Sequence, residues 1–129
     1  MDRIDLHVEV VPVSHEELAS TKPVERSASI RQRVVAAREI QRARFAESPK
    51  TFCNAQMSSK MVRQYCAIDE TGQQMLKTAM DKLGLSARAF DRILKVARTI
   101  ADLAGTPDIE PSHLLDACIQ EYRRRVAGV

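Results

Sequence analysis

Residues 85–103, LSARAFDRILKVARTIADL, restrict the fold more tightly than any other stretch of this chain. At helical spacing Arg88, Arg92 and Lys95 fall on one narrow stripe. Phe90, Ile93, Val96, Ala97 and Ile100 fill the opposite arc, with Leu94 and Leu103 at its edges. One side of such a helix docks, and the other meets solvent or an anion. Gly84 is placed to end a preceding helix, and Ser86 to cap the new one, which sets Arg88 in the first turn. A cation there opposes the helix dipole at a cost of about 0.3–1 kcal/mol. An anion held nearby, such as a phosphate, offsets that cost.

The surrounding pattern is helical almost throughout. Residues 27–47 read as a long helix with Ile30, Val34, Ala37 and Phe45 on one stripe, flanked by Arg31, Arg33, Arg38, Arg42 and Arg44. Pro49 ends it, and 50–56 reads as loop. Ser58 and Asp69 are the expected caps of helices running to about residues 66 and 83. Pro111 opens a last helix that carries Leu114, Leu115, Cys118, Ile119 and Tyr122. Residues 4–10 are the exception: Ile4, Leu6, Val8 and Val10 alternate with Asp5, His7 and Glu9. That period predicts a strand, and the chain offers no second strand to pair with it. The expected organisation is residues 1–24 as the strand and linker ending a larger core, then 25–129 as an all-α helical domain.

Composition narrows the functions. A chain of 129 residues has room for one core, and no apolar run is long enough to span a membrane. No basic-then-apolar leader is present, which fits a cytoplasmic protein. Cys53, Cys66 and Cys118 form no CxxC pair, so they read as reduced core or half-buried thiols. His7, His15 and His113 lack ligand spacing, and no metal site is expected. Aromatic residues are too few for a base-stacking platform, and no GxxxxGK[ST] loop is present.

Residues 86–103, SARAFDRILKVARTIADL, resemble the sensor-2 helix of Mg-chelatase-like AAA+ ATPases, the YifB/ComM family. DRIDLHVEV at 2–10 resembles the segment that ends the ATPase core of that family. NAQM at 54–57 and PSHLLDA at 111–117 resemble its intervening and final lid segments. The resemblance implies an AAA+ lid-type bundle, the C-terminal part of an ATPase that binds ATP and Mg²⁺. It implies a hexameric ring made with the protein's own core and neighbouring subunits, and in some members action on branched DNA. It implies that Arg88 is the sensor-2 arginine contacting a γ-phosphate, in its own or a neighbouring subunit. It implies that Arg3 matches an arginine finger. With no Walker A or Walker B segment, this stretch alone should bind no ATP and hydrolyse none.

The residues themselves leave alternatives. Arg92 and Lys95 either extend the phosphate-facing stripe or form a solvated face with Asp91 and Asp102. Arg98 lies off the stripe and carries no expected role. The arginines of the first long helix either line a DNA channel or subunit interface or are simply solvated. The rival to the ATPase lid is a free-standing helical DNA-binding or protein-interaction module. Its basis is the Leu83-Gly84-Leu85-Ser86 turn, which loosely resembles a helix-turn-helix.

Overall fold

A computed structural model describes residues 4–127. Among them the secondary structure is helical: α1 (His15–Ala19), α2 (Ser27–Arg44), α3 (Ser59–Tyr65), α4 (Glu70–Leu83), α5 (Ala87–Ala104) and α6 (Pro111–Ala127), with a 3₁₀ turn at Asn54–Gln56. The helix boundaries follow from their caps. The hydroxyls of Ser58 and Ser86 and the carboxylate of Asp69 accept from the N–H groups of Met61, Ala89 and Gly72. Each such cap is worth about 1 kcal/mol. Gly84 and Gly105 close α4 and α5 at φ of 61° and 72°, in the left-handed region where a Cβ is penalised. At α6 a histidine does the capping: the Glu110 N–H donates to His113 Nδ1 at 2.9 Å.

α5 is the centre of the bundle. It packs on α2, α3, α6 and the 3₁₀ turn, while α4 lies against α6. Its buried residues include Ile93, Leu94, Ala97, Arg98, Ala101 and Asp102, an arc wider than one docking face would need. Ile93, Leu76 of α4 and Leu114 of α6 are fully buried, each stabilising the fold by roughly 1.5–3 kcal/mol. Ala97, Ala101 and Ala117 are equally buried, and their small side chains let α5 and α6 approach closely. Gly72 does the same for α4: a Cβ there would sit 2.8 Å from Leu114 Cδ1.

Two expectations need correction. No strand is present among the described residues, and the alternating segment at 4–10 has no regular secondary structure. Alternation selects faces, but a strand exists only where a neighbour takes its N–H and C=O groups, and none does here. The first long helix ends at Arg44 rather than 47: Phe45 leaves helical geometry at φ −105° and ψ 17°, and the next bonds tighten to Ala46 N–H with the Ala43 carbonyl and Ser48 N–H with the Phe45 carbonyl, while the Phe45 ring is buried against Tyr65. Only the C-terminal half of this helix reaches the core, through Ala37, Gln41 and Phe45. Ile30 and Val34, placed on the same stripe, remain exposed.

Candidate anion-binding cleft

The stripe predicted from residues 85–103 is present, but its members have different fates. Arg88, in the first turn of α5, is exposed, and Lys95 is half-buried. Arg92 between them is buried. It donates to both Glu121 carboxylate oxygens at 3.0 and 3.2 Å, and its Nε lies 3.5 Å from Asp5 Oδ1. Glu121 is also bridged by Arg124, so α6 supplies a buried acid that holds Arg92 in place. Lys95 Nζ donates to the Ala55 carbonyl at 3.3 Å, and the Ser59 hydroxyl donates to Asp91 Oδ2 at 2.6 Å. Together Arg88, Asp91, Arg92, Lys95, Ala55 and Asp5 line an open cleft of about 200 Å³. Three cations converge there from one helix. Asp91 is turned toward Ser59, and Glu121 sits behind Arg92.

A second charged cluster lies further along α5, and sequence spacing gave no sign of it. Arg44 grips Asp102 with two hydrogen bonds, 2.7 and 2.9 Å, and also donates to Asn54 Oδ1 at 2.8 Å. Asn54 Nδ2 donates to Asp102 at 2.9 Å and to Thr99 at 3.0 Å. Arg98 donates to Asp102 and to the carbonyls of Thr106 and Pro107. Burial alone would raise the Asp102 carboxyl. The hydrogen bonds from Arg44 and Asn54, with the charges of Arg44 and Arg98, outweigh it and hold the group below the ordinary carboxylate range. The same contacts, led by the Asp102 hydrogen bond, push Arg44 up. Burial pushes the neighbouring Cys66 thiol up to about 11.

This cluster revises three sequence readings. Arg44 is not part of a solvated or DNA-facing row, Asp102 is not a surface acid, and Arg98 has a structural role. Asn54 has one too: it ties the 3₁₀ turn to α2 and α5, which sets the Ala55 carbonyl beside Lys95. The only sequence signal for Asn54 was the NAQM resemblance. Arg31, Arg38 and Arg42 of α2 stay exposed and away from the cleft. Arg3 lies outside the described residues. No group of metal-ligating side chains occurs among the described residues, and no helix there is long and apolar enough to cross a membrane. Cys53, Cys66 and Cys118 are free thiols. α5, the helix that follows the Leu83–Ser86 turn, is packed by α2, α3 and α6, with Arg88 in its first turn exposed.

A helical bundle of this organisation matches the family described as magnesium chelatase, subunit ChlI C-terminal, over residues 24–123, and the chain belongs to that family. It is 41% identical over 118 residues to the competence protein ComM of Haemophilus influenzae, covering 91% of this chain and 22% of that protein. It is likewise 41% identical over 118 residues to YifB of Escherichia coli K12, with the same coverage. A Mycobacterium bovis relative is 35% identical over 106 residues, 81% of this chain and 20% of that protein. The chain thus spans about a fifth of the length of these relatives.

Proposed function

We propose that this chain is the C-terminal lid of a Mg-chelatase-like AAA+ ATPase and that Arg88 is its sensor-2 arginine. The observation that carries this reading is the convergence of Arg88, Arg92 and Lys95 on one open cleft. The donor set fits a polyphosphate: guanidinium groups bind phosphate oxygens in pairs, and an ammonium adds a point charge. ATP bound there supplies the γ-phosphoryl group for transfer to water. Arg88, the most exposed of the three, faces that group and offsets charge that develops on it. Arg92, locked by Glu121, and Lys95, locked by Ala55, give the cleft a fixed shape. In this reading the Mg²⁺ ion and the phosphate loop belong to the ATPase core.

In this reading the lid works with its own core and with neighbouring subunits in a ring, in a cytoplasmic setting that keeps the three thiols reduced. The power of the ring is spent on branched DNA, as the resemblance to the YifB/ComM family implies. Arg3 remains the candidate for an arginine finger in trans. The test is ATP turnover by the full-length assembly carrying Arg88→Ala. Turnover should fall about 10³-fold, the magnitude of losing an arginine that stabilises the transferring phosphoryl group, with a smaller change in nucleotide affinity. Rings mixed from mutant and wild-type subunits then separate action in cis from action in trans. Full turnover in Arg88→Ala, or a loss accompanied by unfolding of the lid, contradicts the assignment.

A further inference from the structure

Residues 4–11 have no secondary structure of their own, yet they meet the bundle at three successive places. Asp5 lines the basic cleft, with Oδ1 3.5 Å from Arg92 Nε. Leu6 and Val8 line an apolar groove of about 340 Å³ with Val96, Ile100 and Leu103 of α5. This groove adjoins the cleft and shares Asp5, Ala55 and Lys95 with it. His7, Glu9 and Val11 then border a third hollow against Tyr122 and Val126 of α6.

None of these contacts is strong. Leu6 keeps 52% of its surface exposed and Val8 76%, and the Asp5 side chain is about half exposed. An ion pair this open is screened and readily exchanged. Asp5 nevertheless puts a carboxylate beside Arg92, in the cleft that Arg88 and Lys95 also line, where an incoming phosphate would sit. Asp91, the other acid of the cleft, is engaged by Ser59 instead.

We propose that residues 4–11 form a displaceable strap in which the Asp5 carboxylate is a resident counter-ion of Arg92, in the cleft that Arg88 and Lys95 also line, and is exchanged for polyphosphate. The inference rests on the anion-binding reading of that cleft and adds its regulation. Occupancy of the cleft and seating of the strap exclude each other, so by reciprocity whatever pulls the strap away from α5 raises anion affinity.

The test is calorimetric titration of this chain with inorganic tripolyphosphate at low salt, with the Leu6 and Val8 methyl signals followed by NMR. Asp5→Asn should tighten binding about two- to fivefold, the range an exposed ion pair supports. Glu9→Gln removes the same charge from the strap away from the cleft and should leave affinity close to wild type. Tripolyphosphate should move the wild-type Leu6 and Val8 signals toward their positions in Asp5→Asn. Equal affinity in wild type and Asp5→Asn with stationary methyl signals overturns the strap and leaves the cleft standing. No binding by either protein overturns the cleft, and the strap with it.

Discussion

Two charged clusters share α5, and they are built to opposite plans. At its C-terminal end Asp102 is buried and takes hydrogen bonds from Arg44, Asn54 and Arg98, so donors and acceptors are matched inside the protein. At its N-terminal end Arg88 is exposed, Lys95 is half-buried, and Arg92 is held by the buried Glu121. A closed cluster contributes to folding, since a buried charge that loses its partner is costly. An open one contributes little to folding and is available to a ligand. The residue types are the same in both. What separates them is how far the surrounding helices close over the charges: Asp102 is buried, whereas Arg88 is exposed.

The comparison breaks first at Asp102. Asp102→Ala leaves Arg44 and Arg98 buried without their acid and should cost about 3–5 kcal/mol by denaturant titration. A loss below about 1 kcal/mol would mean that the closed cluster does not hold α2 to α5. Next in size is the pH dependence. The Asp102 carboxyl is held below its ordinary value, so its contribution is present above the unfolded carboxylate range near 4. That contribution is lost as pH falls through the depressed folded value. Cys66 acts in the other direction: with its thiol raised to about 11, its contribution is full below the ordinary value of 9.0 and lost as pH rises toward 11. Stability measured from pH 2 to 11 should fall at both ends. Asp102→Asn should flatten the acid limb and Cys66→Ala the alkaline one. The smallest effect belongs to the open cluster. Arg88→Ala removes a cation from a helix N-terminus and should change stability by no more than about 0.5 kcal/mol, in the stabilising direction.

The sequence made the helices legible because their ends are chemically marked: Ser58, Asp69 and Ser86 at the starts, Gly84 and Gly105 at the stops. The stripe of Arg88, Arg92 and Lys95 was legible for the same local reason, helical spacing. The burial of Arg92 was not, because its partner Glu121 is 29 residues away on another helix. Arg44 and Asp102 are 58 residues apart, and nothing in either neighbourhood announces the pair. Both were misread as surface charges, which is the usual fate of such residues. The alternation at residues 4–10 misled in a further way. It records a preference for a sheet, and no partner strand is present among the described residues to satisfy it.

The central claim, that the open cluster is for a ligand and the closed one for the fold, is tested most directly by thermal unfolding with and without millimolar tripolyphosphate. The wild-type chain should gain Tm with the anion, because a ligand bound only by the folded state stabilises it. Arg88→Ala should match the wild-type Tm without anion and lose most of the gain. Arg98→Ala should start several degrees lower and keep the gain. A full anion-induced rise in Arg88→Ala, or an Arg98→Ala variant with unchanged Tm and no rise, would contradict the account.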